Sequence, residues 1–168
     1  MRLFIAICVN KEIKAGIRKV CTELKSAGVS GNWTADENLH LTLAFLGEVD
    51  DWKRVREAMS GLSFSSFPLS LEKTGTFGDL GWVGLKGSEE LTRLSKDIRL
   101  ALDRADIGYD RKPFKPHITI VRQAKRLGQT APVVPSVSMK VSRVSLMKSE
   151  RVQGKMRYTE IFAVSAED

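Results

Sequence analysis

Apolar residues fill positions 2–9 almost without a break (Arg2-Leu3-Phe4-Ile5-Ala6-Ile7-Cys8-Val9), which predicts a buried first strand. Asn10 then offers an N-cap, and Ile13, Ile17, Val20, Cys21 and Leu24 recur at helical spacing until Gly28 supplies a stop. Ser30-Gly31-Asn32 reads as a turn carrying the chain to Trp33 and on to an alternating strand that Gly47 closes. Residues 50–61 return to helical spacing, with Trp52, Val55, Met59 and Leu62 on one side. Residues 67–77 read as a strand ended by Gly75, Gly78 and Gly81, and residues 82–86 as another. Ser88 caps a third helix whose first-turn Glu89 and Glu90 suit the helix dipole. Its stripe is Leu91, Leu94, Ile98, Leu102 and Ala105, and Gly108 ends it. A basic, proline-punctuated loop over 109–115 leads to a second alternating strand. A loop holding Pro132 and Pro135, one strand over 138–148, a hairpin turn at Gln153-Gly154 and a strand over 158–164 complete the pattern.

The two halves share an order. Strand, helix and alternating strand occupy residues 2–46, and the same sequence of elements occupies 82–121. This predicts an α+β fold of two pseudo-symmetric lobes, each a mostly antiparallel sheet with helices outside, around a central cleft. The mixed order of elements argues against a doubly wound parallel sheet. With 168 residues and no linker-like stretch, residues 1–168 read as a single two-lobed domain.

The alternating strands carry the chemistry. The first reads His40-Leu41-Thr42-Leu43 and the second His117-Ile118-Thr119-Ile120, and these are the chain's two histidines. Period-2 geometry sets each His and Thr on one face and the aliphatic residues on the other. An isolated strand histidine is most often a satisfied half-buried residue, but a repeated tetrad holding every histidine of the chain is not explained that way. Zinc needs three or four ligands, and no carboxylate lies within either tetrad; Asp36 and Glu37 are the nearest to the first. A two-histidine metal site stays open as the weaker account. A nucleophile–His–acid set would need one histidine, not two. Paired imidazoles without a metal suit acid–base catalysis of phosphoryl transfer, with one neutral and one protonated near pH 7. The Thr42 and Thr119 hydroxyls would then stabilise charge on non-bridging oxygens, and Arg122 could add a fixed cation.

Composition alters this picture little. A net charge of +7, from 27 Lys+Arg and 20 Asp+Glu, favours a polyanionic or phosphate-bearing partner. No stretch is long and apolar enough to span a membrane, and residues 1–9 lack the length and cleavage site of a signal peptide, so a cytoplasmic protein is expected. Cys8 and Cys21 lack metal spacing and read as buried free thiols.

The paired His-x-Thr-x tetrads resemble the two-histidine phosphoesterase superfamily, and within it the RNA 2′,3′-cyclic phosphodiesterases, also called 2′-5′ RNA ligases. Trp33 and Glu37-Asn38-Leu39 before the first tetrad, Phe45-Leu46-Gly47 after it, Phe114-Lys115-Pro116 before the second and Arg122 after it extend the resemblance. Leu146, Ser149, Gly154 and Tyr158 resemble the family's closing hairpin, so nearly the whole chain is covered. The resemblance implies a bilobal fold and metal-independent opening of RNA 2′,3′-cyclic phosphates to 2′-phosphomonoesters, with no cofactor. Some members also join RNA ends through a 2′-5′ bond. It implies a monomer acting on RNA ends, tRNA fragments among them, or on small cyclic nucleotides. By this carry-over His40, Thr42, His117 and Thr119 are catalytic and Arg122 assists; Phe45 either faces the nucleobase or packs beside Leu46. Arg122 lies five residues after His117, so strict alternation sends it to the opposite face unless the strand twists, bulges or ends near Val121. Arg111, Lys112, Lys115, Lys125 and Arg126 are candidates for RNA phosphate contacts or a solvated basic surface. The alternatives are a related phosphodiesterase of 2′-5′ oligoadenylate or a small cyclic phosphate, such as an ADP-ribose derivative, and a non-catalytic module that binds RNA ends.

Overall fold

Nine strands, three helices and one 3₁₀ turn make up the computed structural model, which describes all 168 residues, Met1–Asp168. The chain runs β1 (Arg2–Cys8), α1 (Lys11–Ser26), β2 (Ser30–Trp33), a 3₁₀ turn (Asp36–Asn38), β3 (His40–Glu48), α2 (Trp52–Ser60) and β4 (Phe67–Phe77). It continues through β5 (Leu80–Leu85), α3 (Glu89–Arg104), β6 (His117–Lys125), β7 (Ser138–Val141), β8 (Arg143–Val152) and β9 (Lys155–Ser165). The expected caps form: Asn10 Oδ1 accepts from the Ile13 amide at 3.0 Å and Ser88 Oγ from the Leu91 amide at 3.1 Å.

All strand pairs are antiparallel. One sheet has the order β3-β1-β8-β9 and the other β2-β6-β5-β4-β7. Counted outward from the strand that bears its tetrad, each sheet continues with the strand that opens its own strand–helix–strand unit, β1 or β5. The expected pseudo-symmetry therefore holds, with β2 as an extra edge on the second sheet. The sheets approach each other along β3 and β6, so the two tetrads share one seam. Helix α1 approaches β7, with Gly16 over Leu71 and Val137, while α3 lies against β3 and α2. One core of 31 buried residues runs through both sheets, from Leu3, Ile5 and Ile7 on β1 to Ile118, Ile120 and Val121 on β6. Each fully buried aliphatic side chain of this kind contributes about 1.5–3 kcal/mol.

Three local readings of the sequence are corrected. Ser30–Trp33 is a strand, not a turn, and pairs with β6. Its Gly31 permits close approach, because a Cβ there would lie 2.9 Å from Ala124 Cα and from the Arg122 carbonyl oxygen. The stretch 138–148 is two strands: β7 pairs with β4 in one sheet, and after Ser142 the chain crosses to β8 in the other. Apolar residues recur through both segments, Met139 and Val141 in β7 and Val144, Leu146 and Met147 in β8, so local pattern does not mark the crossover. Gly75 does not end β4 but sits inside it, where the Trp82 ring lies across its backbone and a Cβ would fall 2.2 Å from Trp82 Cζ2. The turn at Gln153-Gly154 is as expected, with both residues at positive φ in a two-residue hairpin loop.

Candidate active site

β3 and β6 carry the same irregularity. Against β1, Ala44 pairs with Ile5 and Thr42 with Ala6, leaving Leu43 as an extra residue. Against β5, Val121 pairs with Gly81 and Thr119 with Trp82, leaving Ile120 extra. Each bulge thus falls at the last residue of its tetrad. Burial follows the bulge: Leu41, Leu43 and Ala44 all face the core in β3, as do Ile118, Ile120 and Val121 in β6. Two consecutive inward residues reverse the parity beyond them, so the fifth residue after each histidine rejoins the histidine's face. That residue is Phe45 in β3 and Arg122 in β6. The alternation argument that would send Arg122 away fails at the bulge, and Arg122 lies close enough to His40 for its charge to act on that imidazole. Phe45 is 36% exposed, outside the core beside Leu46.

Both imidazoles are anchored alike. His40 Nδ1 donates to the Asn38 carbonyl at 2.7 Å and His117 Nδ1 to the Lys115 carbonyl at 2.6 Å, in each case two residues upstream. A carbonyl only accepts, so Nδ1 carries a proton in both rings and Nε2 is the atom that gains or loses one. His40 Nε2 also meets Thr42 Oγ at 2.9 Å. Burial, foremost, holds the His40 pKa below the usual histidine value; the Arg122 and His117 charges add to this, while the Asn38 carbonyl opposes it. No three or more His, Cys, Asp or Glu side chains come together as a metal-binding group.

Aromatic rings far away in sequence brace both histidines. The Phe4 ring lies 4.7 Å from His40 and the Tyr158 ring stands edge-on at 5.2 Å. Phe4 belongs with Ala6 and Met147 to a small second cluster on the histidine face of the first sheet, with Tyr158 packed against it. Across the seam the Phe77 ring stands edge-on to His117 at 5.2 Å, with Trp82 at 6.2 Å. Buried Asn38, one of the residues flanking the first tetrad, bonds through Nδ2 to the Met156 carbonyl at 3.0 Å. It thereby ties the β8–β9 hairpin to the segment that holds His40. Sequence distance hid the contacts of Phe4, Phe77, Trp82 and Met156, which carry no local motif; Tyr158 stood out only as part of the closing hairpin.

The basic residues divide. Lys115 Nζ lies 5.8 Å from the Phe77 ring centroid, beside His117. Arg111 is occupied by Asp103 at 2.9 Å and stacks on Tyr109 at 4.1 Å, and the Lys112 amide donates to Asp110. Arg126 lies beside Gly28 at the end of α1, and Lys125 pairs with Ser30 on the β2 side of β6. The expectation of two buried thiols is corrected as well. Cys8 is exposed, because it shares the histidine face and pairs with His40, and Cys21 is half-buried with its pKa pushed up to about 11 by desolvation. A groove of about 600 Å³ between α2 and α3, lined by Arg54, Glu57 and Leu100 among others, contains none of the tetrad residues.

Comparison with known proteins places this geometry. A sequence profile of the 2′-5′ RNA ligase superfamily matches residues 12–153. The chain is 37% identical over 146 residues to an RNA 2′,3′-cyclic phosphodiesterase of Archaeoglobus fulgidus, covering 82% of this chain and 81% of that protein. It is 30% identical over 168 residues to the Escherichia coli RNA 2′,3′-cyclic phosphodiesterase, covering 95% and 93% respectively. A crystal structure of E. coli LigT complexed with 3′-AMP superposes with a TM-score of 0.86 at 29% identity, over 99% of this chain and 98% of that one. Matching sequence, matching fold and a doubled His-x-Thr-x seam coincide over nearly the full length, and the chain belongs to the 2′-5′ RNA ligase superfamily of two-histidine phosphoesterases.

Proposed function

We propose that this protein is an RNA 2′,3′-cyclic phosphodiesterase in which His40 and His117 move the protons. The observation that carries the reading is the matched anchoring of the two imidazoles, each with Nδ1 held by a backbone carbonyl so that Nε2 is the atom that exchanges a proton. The Nε2 of one histidine accepts a proton from the attacking water. The water oxygen bonds to phosphorus, the bond to the 3′ oxygen breaks, and the Nε2–H of the other histidine protonates that oxygen, leaving a 2′-phosphomonoester. Thr42, Thr119 and Arg122 donate to the non-bridging oxygens, where negative charge accumulates in the pentacoordinate state. Joining of RNA ends through a 2′-5′ bond uses the same two proton transfers in the same direction, with a 5′-hydroxyl in place of water: its oxygen bonds to phosphorus as the bond to the 3′ oxygen breaks. Phe45 meets the terminal nucleobase in this reading, which its exposure on the histidine face supports. The relatives named for this activity and the 3′-AMP held by LigT support a nucleotide substrate. Residues 1–168 act as one two-lobed domain, a cytoplasmic monomer; no helix is long and apolar enough to cross a membrane.

Incubation with each nucleoside 2′,3′-cyclic monophosphate, with identification of the product isomer, tests the reaction directly: a 2′-phosphate is expected, and no turnover of any of the four would overturn it. Activity is expected to survive exhaustive dialysis against EDTA, since the tetrads offer two nitrogens and two hydroxyls, a poor donor set for zinc. Loss restored by one divalent ion would favour the two-histidine metal site instead.

The pH dependence follows from the pair. One histidine must be neutral and the other protonated, so kcat/KM should pass through a maximum and fall on both sides. Falling pH protonates the acceptor; rising pH deprotonates the donor. Burial and the adjacent cations draw the free-enzyme titration of His40 to the acid side of ordinary histidine. The two limbs belong to the coupled pair. In the residual activity of a single His variant one limb should vanish, and which limb it is assigns donor and acceptor. A single sigmoid for the intact enzyme, with chemistry rate-limiting, would leave one histidine as a phosphate-binding group.

A further inference from the structure

We infer that Arg2 and Arg151 form a second contact region for the RNA strand upstream of its cyclic end, so that the enzyme acts on polynucleotide ends in preference to cyclic mononucleotides. This rests on the phosphodiesterase reading and adds a surface to it.

Strand register supplies the first support. On β1, Arg2, Phe4, Ala6 and Cys8 alternate onto the histidine face, and Phe4 touches His40. Arg2 pairs with Ser149 of β8, and Ser149 pairs with Tyr158 of β9, whose ring stands on His40. Two pairs further along the hairpin, Arg151 sits opposite Met156 and returns to that same face. The face that begins at His40 therefore runs over Phe4 and Tyr158 and ends at two guanidiniums.

Charge supplies the second. Arg18, Arg111 and Arg143 are each occupied by a carboxylate, whereas Arg2 and Arg151 form no carboxylate ion pair. Arg2 lies over the Phe45 ring at 5.0 Å, and Arg151 is steadied by a bond from Nη1 to the Gly154 carbonyl at 3.2 Å. A guanidinium set over a ring or against a carbonyl keeps N–H groups free, and these suit phosphate oxygens. Met156, 36% exposed on the same face between them and Tyr158, offers an apolar seat for an unstacked base. The hairpin is fastened to the catalytic segment by the Asn38–Met156 bond, so the surface is fixed relative to His40. A cyclic mononucleotide has no upstream phosphodiester to reach it.

The opposite face of the hairpin provides a charge-matched control, since Lys155 and Arg157 pair with Val152 and Glu150 and point away. The experiment compares kcat/KM for a short oligoribonucleotide ending in a 2′,3′-cyclic phosphate with that for the matching cyclic mononucleotide, as a function of salt. Anisotropy binding of the same oligonucleotide bearing a 2′-phosphate provides a readout without turnover. Wild type should prefer the oligonucleotide. Arg2→Ala and Arg151→Ala should each lower that preference and the binding by about fivefold, the scale of an exposed ion pair. Each should flatten the salt dependence of the oligonucleotide by about 0.7 in log–log slope, while Lys155→Ala with Arg157→Ala leaves both unchanged. An unaltered preference and slope in the two arginine variants, or an equal loss in the control, would overturn the inference. Absence of turnover on both substrates would sink the phosphodiesterase reading, and the binding arm would still decide this one.

Discussion

His40→Ala and His117→Ala each lose about 10²–10⁴-fold in kcat on a 2′,3′-cyclic phosphate while keeping the native fold. Neither imidazole has a substitute, because the chain holds no third histidine. The fold survives because both rings lie on the seam face, while the strands are held by the aliphatic residues between them: Leu41, Leu43 and Ala44 on β3, and Ile118, Ile120 and Val121 on β6. What the structure gives up is the hydrogen bond from each Nδ1, to the Asn38 or Lys115 carbonyl, and at His40 also the Nε2–Thr42 bond, at about 0.5–1.5 kcal/mol each. Single-turnover kinetics with circular dichroism and thermal melts separate the two effects. Near wild-type turnover from either folded variant would end the two-histidine mechanism. The double variant should lose less than the product of the single losses, because a proton relay without its acceptor has little use for its donor.

Much of this arrangement was legible in the sequence, and the reasons are physical. Tetrads with a period of two declare a face, and a helix between two strands declares a unit, so the lobes and the four tetrad residues follow from local pattern. What local pattern could not give was the consequence of a single extra residue. Leu43 and Ile120 look like ordinary members of an alternating strand, and only pairing with Ile5–Ala6 and Gly81–Trp82 shows that each is a bulge. The same limit hid β2, where Gly31 serves a close crossing over β6 and mimics a turn signal. It also hid the break at Ser142, where a continuous apolar pattern passes from one sheet to the other. The aromatic rings that brace the histidines lie far away in sequence: Phe4 meets His40 because β1 pairs with β3, and Tyr158 reaches it because the C-terminal hairpin packs beside β1. Charge was a poor guide until geometry sorted it. The conspicuous loop residue Arg111 is spent on Asp103 and Tyr109, whereas Arg2, inside a strand that reads as buried, shares the histidine face.

The paired bulges give Arg122 a sharp test. Arg122→Ala should reduce kcat by about 10²–10³-fold, the scale of losing one donor to a charge that develops in the transition state. Thr42→Ala and Thr119→Ala should fall in the same range, all three below the histidine losses. Arg122→Lys should recover only part of the activity, since an ammonium keeps the charge but not the fork that can engage two phosphate oxygens. A second readout separates a residue at the site from one that merely supports β6. The Arg122 cation is among the causes holding the His40 pKa down, and a cation disfavours the protonated imidazole. Removing it must therefore raise the His40 titration midpoint toward the ordinary histidine value, and Arg122→Lys should raise it less. Imidazole NMR of the free enzyme reads this without turnover, and His40 and His117 can be told apart because each single variant leaves one titration curve. Phe45→Leu, a change at the matching position of the other lobe, removes no charge and should leave the His40 midpoint in place. A midpoint that stays fixed in Arg122→Ala, together with wild-type kcat, would mean that the bulge at Ile120 does not deliver the guanidinium to the seam, and charge stabilisation would then rest on the two threonines alone.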